Sequence, residues 1–364
     1  MAKCLVGEII TLQRGFDITR QQQSFGHYPV VSSSGIKSYH NEWKVEGPGV
    51  VIGRKGSLGT VFYIAHNFWP HDTTLWVKDF HGNSPSFVHY FLKDFDLGRY
   101  DVGSSNPTLN RNHVHLLAAL LPPLPEQQAI AQVLSSLDDK IDLLHRQNKT
   151  LEAIAETLFR QWFIEEAQDN WKKKSLLDII QVINGGTPKT SVPEYWNGDI
   201  PWLSGGDIAS SHKSFVLSSA KTISQDGLDY SSAKLLPKFA TVITARGTVG
   251  KYALLSKPIA YSQSNFGILP GIEGCFFFTY LLINHVVREL QSAAYGSVFD
   301  TITATTFKEI EVAVPSVKKI EEFEKSISPY FFKKLHCLAQ IQTLEKLRDT
   351  LLPKLMSGEV RVEL

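Results

Sequence analysis

Cysteine is nearly absent from this chain. Cys4, Cys275 and Cys337 stand far apart in 364 residues, with no CxxC or CxC spacing, so neither a disulfide framework nor a zinc site is expected and a reducing cytoplasm is the expected compartment. An excess of charge of one sign is lacking too: 37 Lys and Arg against 36 Asp and Glu leave a net charge of +1. That excludes a uniformly basic surface of the kind that gives nucleic-acid binders much of their affinity, although a basic face remains open. Long apolar runs are missing as well. Residues 274–287 are uncharged but stop at Arg288, short of the ~20 residues that cross a bilayer, and read as a buried helix. Glu8 and Arg14 interrupt the region where a leader needs continuous apolar residues, so no signal peptide and no membrane partner are expected.

Catalytic constellations are also wanting. The segment Ala245-Arg246-Gly247-Thr248-Val249-Gly250-Lys251-Tyr252 has Ala245 and Tyr252 where a phosphate-binding loop needs Gly and Ser or Thr. Glu42-Trp43-Lys44 offers the triplet of a nuclease site without the separated acidic residue. Asn106-Pro107-Thr108-Leu109 lacks the second proline and the aromatic with which amino-methyltransferases hold a base. His66 with His71-Asp72, and His113 with His115, have no third ligand at a recognisable spacing, so satisfied or surface histidines are expected and no metal. No catalytic set is found, and no enzyme is expected.

What is present is a repeat. The stretch GSSNPTLNRNHVHLLAALLPPLPEQ from Gly103 and the stretch GSVFDTITATTFKEIEVAVPSVKKI from Gly296 align without a gap at an offset of 193 positions, and each runs into a heptad-patterned helix. Upstream, Val51-Ile52-x-x-Lys55-Gly56-x-x-Gly59 is echoed by Val242-Ile243-x-x-Arg246-Gly247-x-x-Gly250 at 191. A period this long indicates duplicated domains rather than a solenoid, and the length suits two cores plus connecting helices.

The first module, residues 1–122, reads as short β runs, Val50-Val51-Ile52, residues 60–64 and residues 74–77, followed by a helix around 86–95. Pro122-Pro123-x-Pro125 then forms a stiff connector. From Glu126 the apolar positions alternate by three and four: Ile130, Leu134, Leu137, Ile141, Leu144, Asn148, Leu151, Ala155, Leu158 and Trp162. A helix over 126–166 would extend ~60 Å. Its one polar core member, Asn148, is the kind that selects a register at some cost in stability. The second seam reads Phe323, Ile327, Tyr330, Lys334, Cys337, Ile341, Leu344, Arg348, Leu351 and Leu355. Its polar members do not match Asn148, which favours pairing of the two helices with each other over self-pairing between chains. Leu143 and Phe163, flanking the first seam, are expected to be exposed and sticky.

The second module, about 171–314, opens with Ile183-Asn184-Gly185-Gly186-Thr187-Pro188-Lys189 and continues through Tyr195, Trp196 and Trp202, turn chemistry anchored by rings. Those rings and Trp43 are expected to pack rather than stack on bases. The two Arg/Lys-Gly-x-x-Gly loops are the best recognition candidates, because glycine lets a backbone approach closely and Arg54, Lys55 or Arg246 can reach phosphate or guanine. The bland alternative is a hairpin turn with a solvated base beside it. Acidic residues (Glu126, Asp138, Asp139, Asp142, Glu152, Glu156, Glu165, Glu166) crowd the helices, while Arg54, Lys55, Lys189, Arg246 and Lys251 lie in loops. Such a chain suits a protein partner on one side and phosphates on the other.

The phrases LLPPLPEQQAIAQVLSSLDDKID (residues 120–142) and LEAIAETLFRQWF (residues 151–163), the Gly-Gly-Thr-Pro-Lys opening at 185–189 and the Leu-Leu-Pro-Lys-Leu-Met-Ser-Gly-Glu-Val ending at 351–360 together resemble the DNA-specificity subunit of type I restriction-modification systems. The resemblance implies an α+β fold of two β-rich target-recognition domains (1–122 and 169–314) joined by two long antiparallel coiled-coil helices (123–168 and 315–364) with a pseudo-twofold repeat. It further implies a non-catalytic subunit that reads a bipartite double-stranded DNA target and binds two methyltransferase subunits and the restriction/translocase subunits. S-adenosylmethionine, ATP and magnesium would sit on those partners and none on this chain. The candidate DNA contacts are Arg14, Lys37, Arg54, Lys55 and Ser57 in the first module and Thr187, Lys189, Arg246, Thr248 and Lys251 in the second. The candidate spacer and subunit-interface positions are Ile130, Leu134, Leu137, Ile141, Leu144, Asn148, Leu151, Leu158, Ile327, Ile341, Leu344 and Leu351. Two departures stand out: the first module has Gly15-Phe16-Asp17-Ile18 in place of Gly-Gly-Thr-Pro, and the second connector, Val314-Pro315-Ser316-Val317-Lys318-Lys319, is less proline-rich. The competing reading is a non-DNA scaffold or adaptor, which salt separates: DNA binding weakens steeply as salt rises.

Overall fold

In the computed structural model, residues 1–100, 107–295 and 300–363 are described; Gly103, Asn106 and Gly296 of the repeat lie outside the described residues. The chain divides into two compact units, Met1–Asp142 with Gln342–Leu364, and Leu143–Ile341. Each long helix contributes to both.

The first unit is built around the strand Gly49–Gly53, buried along its whole length. It is central in a four-stranded antiparallel sheet ordered Thr11–Arg14, Thr74–Asp79, Gly49–Gly53, Val61–Ile64. Because side chains alternate across a sheet, Val50 and Ile52 enter the main core with Leu12, Leu75, Phe87 and Phe91, while Val51 enters a smaller core with Val31, Val45, Ile64 and Phe68. Burial on both faces is why this strand reads as an unbroken apolar run. A second sheet, ordered Gly35–His40, Tyr28–Ser32, Trp69–Pro70, supplies part of the smaller core. The helix Pro85–Asp94 covers the main one, started by the Ser84 hydroxyl, which accepts from the Phe87 amide at 3.4 Å, and by proline in its first turn.

The second unit repeats this plan with additions. Its main sheet is ordered Ile180–Asn184, Asn265–Pro270, Thr241–Thr244, Tyr252–Leu255, with Phe215–Val216 added at the edge. Again one face, Ile243, Tyr252 and Leu254, enters the larger core, and the other, Val242, Ala253 and Leu255, the smaller. The uncharged run becomes the buried helix Phe276–Tyr295. Among the described residues no helix is long and apolar enough to cross a membrane. Each unit is closed by a two-stranded antiparallel ribbon, Ala2–Leu5 with Ala118–Leu121 and Lys172–Ser175 with Glu311–Val314, and the later strand of each leads into a long helix. The sequence repeat is thus a repeat of topology.

The first long helix spans Leu124–Arg160 and ends in a wider π turn, Gln161–Glu165; the second spans Val317–Ser357. Within each unit they run antiparallel. In the first unit Arg361 grips Glu126 at 2.8 and 2.6 Å and Arg348 meets Asp138 at 2.7 Å. In the second, Cys337 Sγ lies 3.3 Å from Gln147 Oε1 and Lys334 contacts Glu152. The unmatched polar seam members Lys334 and Arg348 therefore each face a carboxylate of the other helix. Arg348 is raised above the usual arginine range by its hydrogen bonds to Asp138 and Asp349, which outweigh its partial burial.

Ile130, Leu134, Ile141, Leu144, Ile327 and Ile341 are buried; Leu137, Leu151, Leu158, Leu344 and Leu351 are half-buried. Asn148 is buried and its amide has no hydrogen-bond partner among the described residues. Beyond Asn148 the buried stripe is Ala155, Phe159 and Phe163, with Leu158 and Trp162 half-buried beside it. The expectation of an exposed Phe163 is corrected: it is 6% exposed, its ring 4.8 Å from Phe323 and 5.1 Å from Phe278. A 3.6-residue turn drifts ~20° per heptad off a 3.5-residue seam, and here the helix Phe276–Tyr295 packs on the face that the drift brings round. Leu143 is exposed as expected.

The start of Phe276–Tyr295 is capped from the second long helix, the Phe277 and Phe278 amides donating to Glu324 at 3.1 and 2.7 Å. Burial nevertheless pushes the Glu324 carboxyl up to about 7, with the two amides opposing it. A folded pKa above the unfolded value (~4.3) means that the stability gained by burying a neutral Glu324 carboxyl is complete below the unfolded value and lost as pH rises through about 7. Chemical denaturation of the full chain between pH 5 and pH 8 is expected to show the second unit weakening with rising pH, and Glu324→Gln flattening that slope by about 1–2 kcal/mol. Parallel slopes for the two proteins would remove Glu324 as the source.

Candidate nucleic-acid interface

The paired glycine loops are one structure used twice. In the first unit the Gly53 amide donates to Thr60 O (2.8 Å) and the Gly59 amide to Gly53 O (3.0 Å); in the second, Thr244 donates to Lys251 O (2.8 Å) and Gly250 to Thr244 O (2.9 Å). Gly56 and Gly59, like Gly247 and Gly250, all have φ between 71° and 79°, where a side chain is strained. A Cβ on Gly247 would meet nothing within 4 Å, and one on Gly56 only Ser33 Oγ at 3.6 Å. The glycines at these two tips are demanded by backbone conformation, which is the bland reading, and they leave the tips open.

The loops belong to a larger frame. In the first unit four backbone hydrogen bonds tie three segments: Gly15 to Thr74 O (3.0 Å), Phe16 to Pro70 O (2.8 Å), Arg54 to Thr73 O (2.9 Å) and Thr74 to His71 O (2.9 Å). The second unit has the same four: Gly185 to Asn265 O (3.3 Å), Gly186 to Tyr261 O (2.9 Å), Ala245 to Ser264 O (2.9 Å) and Asn265 to Ser262 O (3.1 Å). Gly15-Phe16-Asp17 therefore occupies the place of Gly185-Gly186-Thr187, a correspondence hidden at the level of residue identity. Trp202, 6% exposed, donates its indole N–H to Gly186 O at 3.0 Å, and Trp69 does the same to Phe16 O at 3.2 Å. Trp202 is core, as expected, and Trp196 packs edge-on against it at 5.3 Å; Trp43 departs from that expectation at 42% exposed.

On this common frame the side chains differ. In the first unit Arg14 donates to an Asp72 carboxylate oxygen at 2.9 Å, the other oxygen lies 3.0 Å from His71 Nδ1, and Asp17 is near both. The third carboxylate or imidazole missing from the spacing of His71-Asp72 is thus Asp17, brought in by the fold, but Arg14 already supplies the cation. Arg54 is half-buried, spends two donors on the Asp72 carbonyl (3.3 and 3.1 Å), and is lowered by burial and by Arg14; it braces the turn. Lys55 is half-buried and bridges to Thr108, whereas Ser57 is exposed at the tip and Lys37 is exposed on Gly35–His40. In the second unit Arg246 and Thr248 are exposed at the tip, Lys189 is exposed, and the Thr187 hydroxyl donates to Gln263. The frame brings together Arg14, Arg54 and Lys55 in one unit and Thr187 and Arg246 in the other; Lys37, Lys189 and Lys251 lie outside it.

Lys251 instead belongs to a cleft of about 740 Å³ whose lining includes Arg160, Lys213, Arg288, His212 and His285. Glu156, which takes Lys213 at 3.1 Å and Asn284 at 2.7 Å, is the only carboxylate lining it among the described residues. His212 is lowered below the usual histidine range by burial and by Lys251. These cations are scattered over more than 120 positions, so no motif could have announced them. His115 is a structural acceptor, taking the Leu12 amide at 3.0 Å.

A pair of apolar cavities also recurs. One of about 510 Å³ is lined by Phe91, Phe95, Ala119, Leu120 and Met356; another of about 270 Å³ by Leu282, Val286, Val312, Ala313 and Phe163. These residues correspond one to one at the two repeat offsets.

A family model described as the type I restriction modification DNA specificity domain matches residues 4–153 and 168–343. The chain is 25% identical over 329 residues to the specificity subunit of the type I restriction enzyme HindI of Haemophilus influenzae, covering 70% of this chain and 71% of that one. It is 28% identical over 178 residues to the specificity subunit of the type I restriction enzyme MjaIX of Methanocaldococcus jannaschii, covering 48% and 41%. The crystal structure of a type I restriction-modification S subunit from M. genitalium matches with a TM-score of 0.71 at 16% identity, over 98% of this chain and 96% of that one, a likeness of fold.

Proposed function

The chain belongs to the family of type I restriction-modification DNA-specificity subunits, and from that premise we propose that it reads a bipartite double-stranded DNA target, one half-site per unit, and scaffolds two methyltransferase subunits and the restriction/translocase subunits in the cytoplasm. The observation that carries this reading is one backbone frame built twice with two different sets of side chains. A shared frame holds a reading surface in place, and a changed side-chain set changes what is read. Cations such as Arg160, Lys213, Lys251 and Arg288 suit sequence-independent contact with phosphates. The apolar cavities at matched places suit two copies of one partner, which agrees with two methyltransferases.

The chain itself carries no chemistry in this reading. S-adenosylmethionine, ATP and magnesium belong to the partners, and no resident group is assigned here. Mapping methylated bases in DNA from cells carrying this chain with its methyltransferase tests the reading. A two-part motif is expected, and replacing residues 172–314 by the matching module of another family member should rewrite one half while leaving the other. A continuous motif, or both halves rewritten by the swap, would count against it.

A further inference from the structure

Resting on that reading, we propose that Gln263 is a specificity-determining residue that reads an A·T pair in the half-site of the second unit, with Thr187 as its positioning residue. Gln263 stands at the middle of the turn Ser262-Gln263-Ser264, whose backbone is held at both ends, by the Ala245 amide on Ser264 O at 2.9 Å and the Asn265 amide on Ser262 O at 3.1 Å. The flanking hydroxyls are 2.8 Å apart. The turn is rigid, and its central side chain is exposed.

Thr187, on the facing segment of the frame, donates its hydroxyl to Gln263 Oε1. That contact orients the amide: Oε1 keeps one lone pair, and among the described residues both Nε2 hydrogens stay free. An amide so turned offers an acceptor and a donor side by side, the pattern that matches adenine N6–H and N7 in the major groove. The matched turn of the first unit, His71-Asp72-Thr73, places Asp72 at the corresponding position, closed by Arg14 at 2.9 Å. The same place is an ion pair in one unit and an uncharged, oriented amide in the other. The frame is common to both, so this position is one at which the units differ in the groups they present.

The test uses the full chain assembled with its methyltransferase subunits on a randomised DNA library, read by methylated-base mapping. The wild-type complex is expected to demand A·T at one position of one half-site. Gln263→Ala should relax that position alone, by roughly 5- to 150-fold in preference, and Gln263→Arg should shift it toward guanine. Thr187→Val should relax it in part, and Thr187→Ser should restore it, which a merely structural role for Thr187 would not do. An unchanged motif in Gln263→Ala, relaxation at a position that is not A·T, or equal loss across both half-sites in Gln263→Ala and Gln263→Arg alike would overturn the assignment. A wild-type complex with no two-part motif would overturn the function proposal beneath it, so the two failures are distinguishable.

Discussion

Lys334→Met is expected to destabilise the second unit by about 3–5 kcal/mol, the usual cost of leaving a buried charge without its partner. Lys334 is 4% exposed; its ammonium contacts the Glu152 carboxylate and donates to Lys213 O at 2.8 Å. The other Glu152 oxygen accepts from the Tyr280 hydroxyl at 2.9 Å, and Tyr280 is itself buried. Burial pulls the lysine pKa down to about 7, and the carboxylate in contact favours the charged form. Removing the ammonium strands Glu152 with a single neutral donor. The double variant Glu152→Gln with Lys334→Met should recover most of the loss, because it leaves no unpaired buried charge and the amide oxygen still accepts from the Tyr280 hydroxyl. Chemical denaturation of the full chain measures both. A single variant within about 1 kcal/mol of wild type would show that the pair is not strongly coupled.

Inserting four residues into 143–150 of the first long helix, with four more in the facing stretch around Cys337, is expected to move the two half-sequences of the target apart by roughly two base pairs while leaving each unchanged. Four residues add ~6 Å of helix, against 3.4 Å per base pair of DNA. Four is also close to a whole turn, so the seam returns to within ~40° of its original face. One inserted residue rotates everything beyond it by ~100° and should abolish methylation instead. A methylation map with unaltered separation after the four-residue insertion would remove the helices from the task of setting distance.

Elements whose signal is local were legible from the residues. Val50-Val51-Ile52 was readable as a strand because both of its faces are buried, and 274–287 as a helix because an uncharged run too short for a bilayer must find a core. The long seam was readable as far as Asn148; past that point the helix Phe276–Tyr295 packs against it, and the buried face moves to Ala155, Phe159 and Phe163. The domain limits of a linear reading treat the tail as its own segment, whereas Gln342–Leu364 packs into the first unit, because antiparallel pairing sets the end of one helix beside the start of the other.

The candidate interface was legible only in part. The Arg/Lys-Gly-x-x-Gly loops were found, but their glycines answer to positive φ, and Arg54 braces a turn with its donors. Gln263 had no signal at all, being one amide in an ordinary turn, and Asp17 gave none as a neighbour of His71 and Asp72.

Periodicity and repetition, which depend on residues a few positions apart or on a copied stretch, determined by themselves the two modules and the two long helices, and the wording of a few phrases carried the resemblance to a DNA-specificity family. The tertiary structure alone decided which side chains share a surface. Residues 15–17, 54–55 and 71–74 meet only because strands distant in sequence are hydrogen-bonded neighbours, and no spacing rule carries that contact.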